Sequence, residues 1–155
     1  MKDSFHYLSM ANHTMIQKHL MEQLKDTGLT LGQPKVLDYL KDHDGASQKE
    51  IAAGCLIEAG SLTSILNRME EKGLIERKML NGNRRTFHIF MTESGKKNQK
   101  LVEKNFEKIE EKALSSITES EQKIFMETLR KIYENLGGSP KNSNMKEHKG
   151  GDING

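Results

Sequence analysis

Apolar residues recur at helical spacing along most of this chain, and the pattern gives way once to strand-like segments. Leu8, Ala11, Met15, Ile16 and Leu20 lay one stripe along a helix predicted over 4–26, ended by Asp26 to Gly28. Thr30-Leu31-Gly32-Gln33 reads as a capping box before a second helix, with Pro34 tolerated in its first turn. That helix runs to about Asp42 and turns Val36, Leu37 and Leu40 inward. His43 to Ala46 connects it to a second capping box, Ser47-Gln48-Lys49-Glu50. A short third helix follows with Ile51, Ala52 and Ala53; Gly54 breaks it and Cys55-Leu56-Ile57 forms the turn. On a fourth helix from near Glu58, Leu62, Ile65, Leu66 and Met69 fall at i, i+3, i+4 and i+7, and Gly73 stops it as a C-terminal cap.

Two short strands around a turn come next, with Asn81-Gly82 at the tip, since both residues tolerate positive φ. Thr92 caps a long fifth helix over 93–114, with Val102, Phe106, Ile109 and Ala113 in register. Thr118-Glu119-Ser120-Glu121 is a third capping box, opening a sixth helix to about Leu136 that carries Phe125, Leu129, Ile132 and Leu136. Both late stripes are narrow, with charge on the other faces. Residues 137–155 hold hardly any apolar side chain and are expected to be disordered. A short helix, a brief turn and a second helix make a helix-turn-helix signature, and the hairpin directly behind it makes a winged one. The fold class expected is mainly α with a small β-hairpin wing: a winged helix-turn-helix core flanked by N- and C-terminal helices. It divides as 1–29 N-terminal dimerisation helix, 30–92 winged domain, 93–136 C-terminal dimerisation helices and 137–155 tail. The plainer alternative is that the flanking helices pack on their own domain.

Composition and charge sharpen this picture in a few places. The 155 residues suit one domain with appended helices, and only 5% are aromatic, so dimerisation is one way to complete a modest core. Net charge is just +2, yet Arg77, Lys78, Arg84, Arg85, Lys96, Lys97 and Lys100 crowd around the hairpin against Glu76 and Glu93. Such a cluster is either a solvated face or a footprint for phosphates. The single cysteine, Cys55, forms no internal disulfide and points to a reducing compartment. Residues 1–30 carry no uninterrupted apolar segment, so no leader and no membrane partner are expected, and a cytoplasmic location is. His6, His13, His19, His43 and His88 show no tight metal spacing, although His19 and Glu22 share a helix face; no metal or cofactor is expected. No phosphate loop, nucleophile elbow or metal-hydrolase motif marks an enzyme.

The candidate site lies on the fourth helix and the hairpin. The buried stripe leaves Ser61, Thr63, Ser64, Asn67 and Arg68 on the opposite or flanking faces. Hydroxyls, amides and guanidinium there reach base edges or phosphates when the helix enters a major groove. Gly60 either lets the backbone approach DNA closely or marks a later helix start. Beyond the tip, Asn83, Arg84 and Arg85 place arginines where a narrow minor groove attracts them.

These residues resemble the MarR family of bacterial transcriptional regulators. The family's wing has the form Asp-x-Arg-x-x-x-Val-x-Leu-Thr, and the chain reads Asn83-Arg84-Arg85-Thr86-Phe87-His88-Ile89-Phe90-Met91-Thr92. The family's recognition helix ends Leu-Glu-x-Lys-Gly-Leu-Ile/Val-x-Arg, and the chain reads Met69-Glu70-Glu71-Lys72-Gly73-Leu74-Ile75-Glu76-Arg77. Asn83 stands where the family has Asp, and Met91 where it has Leu. The resemblance spans about residues 5–136. It implies a homodimer through helices one, five and six, and a pseudo-palindromic double-stranded DNA operator. It also implies repression released by a small-molecule effector bound between the dimer helices and the winged domain. The competing reading is a winged-helix protein-interaction scaffold without specific DNA binding. Such a scaffold calls for apolar residues at 61, 64, 67 and 68, where this chain is polar.

Overall fold

A computed structural model of the chain describes residues 3–80, 82 and 85–139. Its elements run α1 (Phe5–Gln23), α2 (Gln33–Asp42), α3 (Gln48–Cys55), α4 (Ala59–Glu71), β1 (Ile75–Met79), β2 (Phe87–Met91), α5 (Glu93–Ala113) and α6 (Glu119–Asn135). The mainly α architecture with a central hairpin is the one expected. The chain separates into two compact units, Met1–Ser116 and Ile117–Gly155.

The first unit is built around α2, which touches α3, α4, α5 and β2. Val36, Leu37 and Leu40 are wholly excluded from solvent. They join one cluster with Ile51 and Cys55 of α3, Leu62, Leu66 and Met69 of α4, Ile75 and Ile89 of the strands, and Val102 and Ile109 of α5. Burying each such side chain contributes about 1.5–3 kcal/mol, so the stripes read from sequence dictate which helix faces meet. Along α1 the outcome differs from the simple pattern. Leu20 is buried, as is Leu24 just beyond the helix, but Leu8, Met15 and Ile16 stay 45%, 50% and 38% exposed. Ala113, expected to continue the α5 stripe, is exposed too.

Capping chemistry is largely local and largely as anticipated. Ser47 accepts from Glu50 N while Glu50 accepts from Ser47 N, completing the box on α3. Thr118 and Glu121 do the same on α6. At α2 only half of the box forms. Gln33 Oε1 accepts from Thr30 N at 3.1 Å, but the N-cap is Gly32, with φ +89°. A Cβ at Gly32 would stand 2.6 Å from Ile65 Cδ1, so α4 occupies the space and the helix starts after the glycine. Gly54 also departs from expectation. It lies inside α3, where a Cβ would meet the Tyr39 ring at 2.1 Å; the helix ends instead at Leu56, in the left-handed region at φ 55°. Gly54 is a packing position rather than a helix breaker.

α4 closes in a Schellman arrangement: Leu74 N donates to Met69 O and Gly73 N to Glu70 O, each at 2.9 Å, with Gly73 at φ +73°. Lys72, the C-cap, donates its Nζ to Gly28 O and to Gln33 Oε1, tying this end of α4 to the turn that precedes α2. The strands pair antiparallel with Ile75 opposite Met91 and Met79 opposite Phe87. Residues 80–86 therefore connect them, a longer loop than a two-residue Asn-Gly turn. Gly82 keeps the expected positive φ of 71°, and Asn81 lies outside the described residues.

The outer edge of β2 is fastened to the α2–α3 connection. Gly45 N donates to Ile89 O, Ile89 N to Ala46 O, and Met91 N to Asp44 Oδ1, all within 2.8–2.9 Å. At the other end of the hairpin three elements converge. Thr92 N donates to Leu74 O, Thr92 Oγ1 donates to Gly73 O at 2.6 Å, and the same oxygen caps α5 by accepting from Gly95 N at 3.0 Å. A Cβ at Gly95 would fall 2.0 Å from Leu74 O.

The second unit contains α6. It buries none of its residues, and Ile124, Phe125 and Leu136 are 64%, 53% and 77% exposed. From residue 140 the expected tail lies outside the described residues. Among those described, no helix is long and apolar enough to cross a membrane, and no group of three His, Cys, Asp or Glu is placed to hold a metal ion.

The Gly95 junction predicts a sharp cost. Gly95→Ala adds one methyl against a backbone carbonyl that cannot yield without moving α4 or α5, so unfolding free energy should fall by about 1–3 kcal/mol. Urea titration followed by circular dichroism measures it, and a loss below the error of the titration would show that the junction gives way freely.

Candidate nucleic-acid interface

The expected recognition residues fall on one outward side of α4. Leu62, Leu66 and Met69 are buried and Ile65 is half-buried. Gly60, Ser64 and Asn67, at i, i+4 and i+7, occupy the face opposite that stripe, with Thr63 on one shoulder and Ser61 and Arg68 on the other. All six are exposed. A Cβ at Gly60 would meet nothing within 4 Å, so no packing demand inside the chain accounts for the glycine. Its effect is to keep the centre of the face flat.

The start of α4 is bare. Its N-cap, Glu58, makes no side-chain capping bond, and no acidic residue lies in the first turn. α2 likewise starts without a side-chain cap, at Gly32, whereas Ser4, Ser47, Thr92 and Thr118 cap the other helices with a hydroxyl. The N-cap residue, Glu58, is itself acidic and puts negative charge at this end of the helix, so the bare N-terminus alone makes no anion site.

Arg85 is exposed in the loop that precedes β2. Asn83 and Arg84 lie outside the described residues. The α4 residues are therefore gathered on one face, whereas the arginine belongs to a separate element held by the hairpin. The broader basic cluster expected around the hairpin divides. Arg77 pairs with Glu70 and Lys78 with Glu76, each at 3.5 Å. Lys96, Lys97 and Lys100 lie on α5, which begins at the Met91 end of the hairpin, away from the loop. A five-residue strand spans roughly 15 Å, which is enough to separate the two groups. Those lysines line a groove of about 440 Å³ with Lys41, Asp44, Met91, Glu93 and Gln99. At its edge Lys41 pairs with Glu103, an ion pair that holds the Glu103 carboxyl below its ordinary range.

Gln48 was not among the residues picked from sequence. It opens α3, and its Nε2 donates to Thr63 Oγ1 at 3.2 Å across the two helices. Only its place in the Ser47–Glu50 capping box marked it, and that signal concerns helix initiation, not the surface it shares with α4. Cys55, on the buried side of α3, is 1% exposed; burial pushes its thiol up to about 11, so it is almost wholly protonated at neutral pH.

The chain resembles known proteins in sequence and in fold. Residues 27–86 match the MarR family. The HTH-type transcriptional repressor MdtR of Bacillus subtilis is 30% identical over 106 residues, 68% of this chain and 68% of that one. The structure of a complex of S. aureus MepR with DNA superimposes with a TM-score of 0.75 at 28% identity, covering 86% of this chain and 96% of that one. A MarR family regulator from Listeria monocytogenes, complexed with 26mer DNA, gives a TM-score of 0.78 at 24% identity over 88% and 90% of the two chains. By its sequence and its fold, this chain belongs to the MarR family of transcriptional regulators.

Proposed function

We propose that this chain is a dimeric, sequence-specific double-stranded DNA-binding regulator that acts as a repressor and is released by a small-molecule ligand. The observation that carries the reading is the outward face of α4. It is polar throughout and carries no side chain at Gly60. In this reading Ser61, Thr63, Ser64, Asn67 and Arg68 dock the helix in a major groove. Asn83, Arg84 and Arg85 serve the adjacent minor groove. The solved complexes of similar chains with DNA, and the repressor named among its relatives, support the same assignment. They also weigh against the scaffold alternative, as does the absence of apolar side chains at 61, 64, 67 and 68.

Support for the dimer comes from apolar surface that a single chain leaves in water. α1 exposes Phe5, Leu8, Met15 and Ile16, and α6 exposes Ile124, Phe125 and Leu129. Contiguous exposed apolar stripes of this kind mark interaction surfaces. In the division expected from sequence, 1–29 and 93–136 are the dimerisation segments and 30–92 the DNA-binding domain. For the ligand, the lysine-lined groove between α2 and the start of α5 offers a place for an anionic compound. A regulator of this kind acts in the cytoplasm, and none of these surfaces calls for catalysis. With its thiol buried and protonated, Cys55 takes no part in the switch.

Selection of bound duplexes from a random pool at fixed salt should enrich a two-fold symmetric motif with half-sites about 10–10.5 base pairs apart, centre to centre. Enrichment of no motif would favour the scaffold. On the selected operator, Arg85→Ala should weaken binding and lower the slope of log affinity against log salt by about 1; an unchanged slope would remove the arginine from phosphate contact. Gly60→Ala separates fold from recognition. Gly60 is the second residue of α4, where the helix-interior penalty of glycine is only partly felt, so alanine should raise unfolding free energy by no more than about 0.5 kcal/mol. The same methyl, at the centre of the face, should weaken operator binding severalfold in a gel-shift titration. Equal affinity would mean the backbone does not approach DNA there.

A further inference from the structure

Thr63 is an exposed residue of α4, yet its hydroxyl is already committed. The Oγ1–H donates to Ala59 O one turn back at 3.0 Å, and the same oxygen accepts from Gln48 Nε2 at 3.2 Å. Because the proton of Thr63 is spent on a carbonyl, only a donor can face its oxygen. That requirement fixes the orientation of the Gln48 amide, with nitrogen toward Thr63. Gln48 starts with two N–H donors and one carbonyl acceptor. One N–H is used, so one donor and the acceptor remain on a side chain held in place at both ends. Its backbone is anchored at the first position of α3, behind the completed Ser47–Glu50 capping box.

A donor beside an acceptor on a planar amide matches the major-groove edge of adenine, whose N6–H donates and whose N7 accepts. We propose that Gln48 and Thr63 form one composite unit that selects an A·T base pair in each half-site, with Thr63 as the positioning residue and Gln48 as the reader. The assignment rests on the DNA-binding reading above. It adds a residue from α3 to a surface otherwise assigned to α4 and the wing, and it names the base that the residue prefers.

The alternative role is a brace that merely holds α3 against α4. A brace affects every sequence alike, whereas a reader affects one base pair. The test repeats the duplex selection with the wild type, Gln48→Ala, Thr63→Ala and the double variant, each confirmed folded by circular dichroism. The wild type should show an A·T preference at one position per half-site. Gln48→Ala should reduce that preference about tenfold, as loss of a bidentate contact does. Thr63→Ala should relax the same position, and the double variant should lose little more than Gln48→Ala alone, because the two act through one contact. The salt slope should stay unchanged, since no phosphate contact is lost. Gln48→Glu is a near-isosteric check: a carboxylate has no N–H to offer Thr63 Oγ1 or adenine N7, so the A·T preference at that position should fall as it does in Gln48→Ala. Uniform weakening with the wild-type motif intact would leave only a brace and overturn the proposal. Relaxation at two different positions, or retention of the A·T preference in Gln48→Glu, would overturn it as well. A wild-type chain that enriches no motif overturns the DNA-binding reading, and this unit with it, and so differs from a wild-type motif that the variants fail to alter.

Discussion

The rest of the structure depends on the contact between Thr92 and the end of α4. One threonine bonds Gly73 O and Leu74 O and caps α5 at the same time. This makes α4, the hairpin and the long α5 one mechanical piece. α4 cannot tilt against α5 without breaking these bonds or driving the Leu74 carbonyl into the Gly95 backbone. A rigid junction of this kind sets the pose of the outward α4 face, and a displacement of α5 would be felt there directly.

Two further fastenings complete the frame. Lys72 ties the C-terminal end of α4 to the turn before α2. Asp44, Gly45 and Ala46 hold the outer edge of β2 to the α2–α3 connection. His88 adds to the second through its Nδ1, 2.8 Å from Gly45 O. Each bond contributes modestly by itself, about 0.5–1.5 kcal/mol net. Their importance is directional: hydrophobic burial brings the helices together, but only bonds with fixed geometry set the orientation of the hairpin and α4 relative to each other.

Much of the fold was legible because its signals are local. The capping boxes at Ser47 and Thr118, the cap at Thr92 and the C-terminal glycine at Gly73 each depend on residues within one helical turn, and each formed. The α2, α4 and early α5 stripes predicted the buried faces correctly because helical periodicity alone decides which side chains lie together. The polar face of α4 followed by subtraction. Readings went astray where a distant residue decides the outcome. By local pattern Gly54 breaks a helix, but in the fold it yields space to Tyr39; by local pattern Thr30 is a cap, but Gly32 must let Ile65 past. The basic residues were grouped by sequence, although two of them pair with neighbouring glutamates and three lie on α5, which starts at the opposite end of the hairpin.

Sequence by itself determined the order of elements, their caps, the core faces and the polar character of α4, because periodicity and capping act over a few residues. Tertiary structure alone decided which pieces are locked together. It placed Thr92 on Gly73, Lys72 on Gly28 and Gln33, and Gln48 on Thr63. Those partners are separated by many residues along the chain, and no local pattern encodes them. They meet because burial of the α2 core brings three helices and a hairpin to one place, where the remaining polar groups must find each other.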